Sequence, residues 1–179
     1  MKPNKYSEFN ESNSKDNLKG VEFRLARLGD ENALTQIHIN RDGGDKESVK
    51  KIFSNEIKAI GESSALFVAE YKSQIVGFGR SRFIEADEEL GYRNMPSGYY
   101  LLGVIVKEEF RRKGIGEGLV KARIDHIKSQ AKQVYTFVDE VNKSMILLLT
   151  KIGFLRLTDD FTYPRSKEKK KMVIFELNI

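Results

Sequence analysis

The chain has 179 residues, 40% hydrophobic and 32% charged, which is enough apolar material for one substantial core. It contains no cysteine, which excludes a disulfide framework, thiolate metal sites and a cysteine nucleophile. No apolar run approaches the ~18–20 residues of a membrane span, and the polar N-terminal stretch lacks the apolar core of a secretory signal. A cytoplasmic protein with no membrane partner is therefore expected. The net charge of +5 comes from 31 Lys and Arg set against 26 Asp and Glu, interleaved along the chain. One dense basic cluster, Lys167 to Lys171 with Arg165, lies between two apolar segments and reads as a solvated hairpin loop, not a nucleic-acid surface.

Residues 1–19 are rich in Asn, Ser, Lys and Glu and lack apolar periodicity, so a disordered or loosely attached tail is expected there. A single domain is expected over residues 20–179. The alternation in Val21 to Ala26 predicts a first strand. Asp30 is expected to cap a helix through Ala33, Leu34 and Ile37, which the run Arg41 to Asp45 (RDGGD) breaks. A second helix carries Val49, Ile52, Phe53, Ile57 and Ile60 at helical spacing, and Gly61 closes it. Ala65 to Glu70 and Gln74 to Phe83 read as a hairpin around Tyr71, Lys72 and Ser73. An acidic, turn-rich segment from Glu85 to Gly98 precedes a strand from Tyr99 to Val106.

After that strand come Arg111, Arg112 and Lys113, then Gly114, Gly116 and Gly118 where the chain enters a helix reaching about Ala131. Glycine at such a place lets backbone approach a ligand, and the unpaired N–H groups of a first helical turn are anion donors. The physical reading is a diphosphate cradle fed by a strand. Its spacing departs from G-x-G-x-x-G, with Leu119 in the third glycine's place, and it lacks the Gly-Lys-Ser/Thr of a P-loop. Val134 to Val138 is a short strand, Asn142 to about Lys151 a compact apolar helix ended by Gly153, and two strands follow near Phe154 to Phe161 and Met172 to Leu177. The order β-α-α-β-β-β-α-β-α-β-β describes a mixed α/β sheet with helices on both faces, and its strand–helix–strand unit around the glycines should be right-handed and locally parallel.

The segment from Tyr99 to Phe154 resembles the GCN5-related N-acetyltransferase (GNAT) superfamily. Arg111-Arg112-Lys113-Gly114-Ile115-Gly116 matches its signature [Q/R]-x-x-G-x-[G/A], after the fourth strand and at the head of a helix. Val141 to Phe154 looks like a further conserved region, with an asparagine opening a helix and a Gly-Phe pair leading into the next strand. Ile75 to Arg80 is similar to the family's third strand, and the resemblance spans roughly residues 20–179. It implies an α/β (α+β) fold whose central sheet is mixed but mostly antiparallel, with about seven strands and about four flanking helices. It also implies acetyl-CoA as co-substrate, no metal, a small-molecule or peptide amine as acceptor and, by analogy, a homodimer.

The resemblance also places roles on individual residues. Amides from Arg112 to Gly116, including Ile115, would bind the CoA diphosphate, with Arg111 and Lys113 adding charge or holding the turn. The backbone of Val104, Ile105 and Val106 would pair with the pantetheine arm as if it were another strand, and one of its N–H groups would serve the oxyanion. Asn142 would bond the pantetheine, cap its own helix, or do both. The acceptor would enter between the first two helices, RDGGD and the Glu85 to Gly98 loop.

The implied reaction is direct attack of a primary amine on the acetyl thioester. An ammonium with pKa near 10.4 is about one part in a few thousand neutral at pH 7, so deprotonation costs about 4–5 kcal/mol unless the pocket assists. The leaving thiol, with pKa near 8.5, is a tolerable anion. Many family members carry a tyrosine acid at the position that is Leu149 here. Tyr99, Tyr100 and Thr150 are candidate substitutes for that acid, and Glu85, Asp87, Glu88, Glu89, Asp139 and Glu140 are candidate bases. His38 and His126 read as ordinary helix residues. Leu149 also leaves open a non-catalytic acetyl-CoA-binding sensor or interaction module.

Overall fold

The computed structural model describes residues 17–86, 95–162 and 171–179, with the side chains of residues 159, 160, 162 and 171 left aside. Its elements run β1 (Val21–Leu25), α1 (Glu31–Asp42), α2 (Lys46–Lys58), β2 (Ser64–Tyr71), β3 (Gln74–Ile84), β4 (Gly98–Val106), α3 (Ile115–Ile127), β5 (Gln133–Asp139), α4 (Lys143–Ile152), β6 (Leu155–Thr162) and β7 (Lys171–Asn178). This is the order expected from the sequence. The seven strands form one sheet in the order β1-β2-β3-β4-β5-β7-β6. Only β4 and β5 pair in parallel; every other neighbouring pair is antiparallel. The sheet is mixed and mostly antiparallel, as expected.

Two layers cover the sheet. Leu34 and Ile37 of α1 and Val49, Phe53 and Ile57 of α2 pack on Leu66, Val68, Phe78 and Ile105 on one face. Leu119, Val120 and Ile127 of α3 and Leu149 of α4 cover the other face. Ile52, placed by spacing on the buried stripe of α2, is 52% exposed. The stripe is one residue narrower because Phe53 fills the space, standing edge-on to Phe78 at 5.2 Å between ring centroids. Beyond the reach of α1 and α2, the same face is closed by Tyr100, Tyr135, Phe161 and Ile174.

Local chemistry explains most boundaries. The β2–β3 hairpin turns on Lys72 and Ser73, both at positive φ, the two-residue geometry that suits the strand twist. Asp45 caps α2 by accepting from the Ser48 amide at 2.9 Å. Gly153 ends α4 in the left-handed region at φ +107° and delivers Phe154, 2% exposed, into the core. Two helices stop earlier than the sequence suggested, α2 at Lys58 and α3 at Ile127. The polar segment expected over residues 1–19 falls largely outside the described residues. Where it enters them, the Leu18 amide donates to the Lys113 carbonyl at 3.0 Å.

Asp30 departs from expectation. It makes no side-chain cap on α1. Its carboxylate accepts from Arg24 Nη1 and Nη2 at 2.8 and 3.1 Å and from the Arg27 amide at 2.9 Å, while Arg24 also reaches Glu70. A two-pronged bond to a guanidinium outweighs a single amide cap. Burial opposes ionisation of Asp30, but the Arg24 and Arg27 bonds prevail and hold its carboxyl below the ordinary value. Gly118 has a packing role on the opposite face. A Cβ there would overlap the ring of Phe23, so the missing side chain lets α3 lie on β1.

Two predictions follow from this packing. Asp30→Asn should destabilise the fold by about 1–3 kcal/mol at neutral pH. A carboxyl lowered by folding stabilises fully above its unfolded pKa of ~3.9 and loses that contribution as pH falls through the folded value. The wild-type–variant difference in urea midpoint should therefore shrink below pH ~4. Gly118→Ala should lower stability by about 1–3 kcal/mol through overpacking against Phe23, read as a lower melting temperature.

Candidate active site

The site begins where the parallel pair comes apart. β4 and β5 are in register at Tyr99↔Val134, Tyr100↔Tyr135 and Leu101↔Thr136, and there the ladder ends. Past that point β4 stays paired with β3 as far as Val106↔Gly77, and β5 with β7 as far as Asp139↔Met172. Each strand keeps its outer neighbour while the inner edges diverge, leaving a wedge between 102–106 and 137–139. A bulge begins the divergence. On β3, Gly79 faces Val104 and Arg80 faces Leu102, so Gly103 is an extra residue, at φ +45°. The strand carrying Val104, Ile105 and Val106 thus presents an edge that β5 does not occupy.

At the wide end of the wedge the chain makes a short 3₁₀ turn over Glu108–Phe110 and then enters α3. Arg112, a non-glycine at φ +62°, and Gly114, at φ +79°, both take left-handed conformations here. Arg111 folds back to donate from Nε to the Val106 carbonyl at 3.2 Å, and Lys113 Nζ donates to the Glu109 carbonyl at 2.8 Å. These two residues therefore brace the turn. The amides of Ile115, Gly116 and Glu117 begin the helix and have no acceptor within it. The three glycines have separate jobs. Gly114 supplies the left-handed start, Gly118 admits Phe23, and Gly116 faces the wedge. A Cβ on Gly116 would meet only Leu148 and Val104, at 3.9 and 4.0 Å. Glu117 pairs with Lys121 at 2.7 Å and with Lys151 of α4 at 2.8 Å, which lower its carboxyl from the ordinary value and tie α3 to α4.

Asn142 is the N-cap of α4, accepting from the Met145 amide at 3.3 Å. Leu149 is 1% exposed and belongs to the core. The catalytic candidates read from the sequence are dispersed. Tyr99 lies in the closed part of the ladder, its hydroxyl 2.8 Å from the Glu62 carbonyl and 2.7 Å from Gln130 Oε1. Tyr100 stands one residue before the ladder ends but is fully buried, and it donates to the Pro96 carbonyl at 2.7 Å. Burial, and then the nearby Tyr135, raise its pKa above the ordinary phenol value, so it gives up its proton reluctantly. Glu85 is exposed at the end of β3, and Asp87, Glu88 and Glu89 lie outside the described residues. Thr150 bonds back to the Ile146 carbonyl, and Asp139 shapes its own turn by accepting from the Val141 amide. Among the described residues no group of three or more His, Asp or Glu side chains is placed to hold a metal.

A charged cluster that the sequence reading did not assemble stands on the α1–α2 face of β3 and β4. Arg41 Nη1 lies 3.4 Å from the Val104 carbonyl, and the same guanidinium is clasped by Asp42, 2.7 Å from Nη2. One turn earlier, His38 Nδ1 is 3.7 Å from Asp42 and has no hydrogen-bond partner among the described residues. Arg80 donates from Nε to both oxygens of Glu56 at 2.9 and 2.8 Å, with Phe53 and Phe78 each 5.0 Å from its guanidinium. Burial is the main cause that lowers the His38 imidazole, and Arg80 and Arg41 act in the same direction against Asp42 and Glu56. The one signal in the sequence was the position of Arg41 and Asp42 in RDGGD. The rest of the cluster, Glu56, Arg80 and the Val104 carbonyl, is remote from them in the chain.

Comparison with known proteins gives this geometry a family. The model of the acetyltransferase (GNAT) family matches residues 33–154. An N-alpha-acetyltransferase of Sulfurisphaera tokodaii is 31% identical over 146 residues, 76% of this chain and 82% of that protein. One of Saccharolobus solfataricus is 29% identical over 151 residues, 80% and 85% of the two chains. The solved structure of the Salmonella typhimurium acetyltransferase yncA with acetyl-CoA superposes with a TM-score of 0.65 at 16% identity, covering 89% of this chain and 94% of that one. The bulged, half-open β4 and the glycine turn that follows it are thus those of an acetyltransferase, and the chain belongs to the GNAT family.

Proposed function

We propose that this acetyltransferase uses acetyl-CoA and acetylates a primary amine of a peptide or small molecule, with a peptide N-terminus the favoured acceptor. The observation that carries the reading is the inner edge of β4, which β5 leaves unpaired beyond Leu101 and along which Arg41 and Arg111 reach the Val104 and Val106 carbonyls, running into the helix N-terminus at Gly116. It offers a strand for an extended amide-containing arm and, at its end, amide donors for a diphosphate. Amides from Arg112 to Gly116 bind the diphosphate, with Arg111 and Lys113 bracing them. Val104, Ile105 and Val106 take the pantetheine arm, and Asn142 fixes the start of α4 beside it. The names of the archaeal relatives support a peptide α-amine, and the acetyl-CoA of the Salmonella protein supports the co-substrate.

In the reaction the amine lone pair attacks the thioester carbonyl carbon, a C–N bond forms, and the C–S bond breaks with its electron pair leaving on sulfur. A β4 amide receives the oxyanion. An ammonium loses two protons in becoming the amide: the first goes to a base before attack and the second leaves for that base or water as the intermediate collapses, and His38 is the imidazole of the cluster beside Val104. Lowered below its ordinary 6.5, it is neutral at pH 7 and able to accept a proton. With Leu149 in the core and Tyr100 turned to Pro96, the thiolate departs unprotonated or takes its proton from water, which a thiol pKa near 8.5 tolerates.

Acetyl-CoA at about a hundred times its Kd should stabilise the protein by ~2.7 kcal/mol, a rise of roughly 5–10 °C in melting temperature. Gly116→Val, whose branches project into the wedge, should remove the rise while leaving the unliganded melting temperature within a few degrees. A CoA-release assay over peptides and small amines then reads transfer; acetyl-CoA binding without acceptor-dependent CoA release would mark a sensor. For the base, His38→Gln should lower kcat/KM at neutral pH by roughly 10²-fold and abolish a decline below pH ~6.5. An unchanged acid limb would exclude His38, leaving Asp42, Glu56 or solvent as the base beside Arg41 and Arg80.

A further inference from the structure

Arg123, on the third turn of α3, is 1% exposed. Among the described residues no carboxylate pairs with it. Its bonds all go to backbone carbonyls: Nε donates to Leu119 at 2.9 Å, and Nη1 to Arg80 at 2.7 Å and, at the edge of range, to Leu102 at 3.5 Å. Arg80 and Leu102 face each other across the β3–β4 ladder, immediately beside the extra residue Gly103. The guanidinium therefore sits behind the bulge and binds both strands. Space for it comes from Gly79, where a Cβ would approach Arg123 Cζ to 2.9 Å.

An unpaired buried cation is costly, and an apolar residue of similar volume would fill the same space more cheaply. Burial pushes this guanidinium down to about 9, which still leaves it charged at neutral pH. What an apolar side chain lacks is the capacity to hold two carbonyls at a fixed separation. The Leu102 carbonyl shares a peptide with the Gly103 amide, and in a planar trans peptide the two point in opposite directions. Holding that carbonyl toward α3 turns the Gly103 N–H away from it. A charged donor on the carbonyl also strengthens the N–H of the same peptide as a hydrogen-bond donor.

We propose that Arg123 is a positioning residue for acetyl transfer: it pins the bulge at Gly103, and so fixes the open edge of β4 and aims the Gly103 amide at the reacting carbonyl. This rests on the acetyl-CoA reading above. It connects two functions of one helix, since α3 offers its N-terminus to the diphosphate and its third turn to the strand that carries the thioester.

The test separates the pantetheine arm from the diphosphate. Acetyl-CoA and 3′-phosphoadenosine 5′-diphosphate, which is CoA without its arm, are titrated against wild type, Arg123→Lys, Arg123→Met and Gly79→Ala, and kcat and KM are measured with an accepted amine. Gly79→Ala keeps the arginine and displaces it, so it carries the test if Arg123→Met does not fold. The expected result is a kcat loss on the order of 10²-fold in each folded variant, weaker acetyl-CoA binding, unchanged binding of the armless nucleotide, and an unchanged KM for the amine. A kcat within about twofold of wild type, or an equal loss of both nucleotides, overturns the positioning role. Wild-type protein that binds neither nucleotide overturns the acetyl-CoA reading itself.

Discussion

A parallel strand pair held by three registered positions governs this molecule. Tyr99, Tyr100 and Leu101 of β4 bind β5, and beyond them the strands diverge. A sheet that parts in its middle forfeits hydrogen bonds that a continuous ladder would make, so the neighbouring elements must hold the two halves independently. They do: β1, β2 and β3 stabilise β4 from one side, and β7 and β6 stabilise β5 from the other. The crossover helix α3 then lies across the outer half while α4 covers the inner one, joined by the Glu117–Lys151 pair. The wedge is therefore a gap between two well-supported half-sheets, and its width is set by rigid structure. That is the condition a site needs if it is to align a thioester without reorganising at each turnover.

The division of labour among small residues follows from the same constraint. Close approach is required at several places around the wedge, and each uses a glycine differently: Gly79 yields room to a guanidinium, Gly118 to a phenyl ring, and Gly103 absorbs an extra residue in a strand. Gly116 faces the space between α3, β4 and α4, where an added Cβ would meet Leu148 and Val104 only at ordinary contact distance. A motif that looks uniform in sequence is thus heterogeneous in mechanism.

The element order was legible because each segment keeps its own periodicity, and the glycine turn was legible because strand, basic turn and helix head are contiguous. The family resemblance sharpened both. What escaped the sequence depended on partners remote in the chain. Asp30 has the side chain of a cap, but Arg24 and Glu70 draw it into an ion network. Ile52 shares the period of Val49 and Phe53, and nothing local says that the stripe is narrower. Arg123 has no role legible in the sequence, although it stands four residues from both Leu119 and Ile127 on the buried stripe, and only the bulge opposite gives it acceptors. The candidate acids and bases were chosen by residue type, whereas the groups gathered beside Val104 come from α1, α2 and β3. Asp87 to Glu89, in the segment expected to admit the acceptor, lie outside the described residues.

Arg80 belongs to both faces of the sheet. Its side chain is bound to Glu56 on the α1–α2 side, while its carbonyl is bound to Arg123 on the α3 side. A shift of this one residue is felt on both sides at once. If a ligand on either face displaces Arg80, its binding is coupled to events on the other face, and that coupling is equal in both directions.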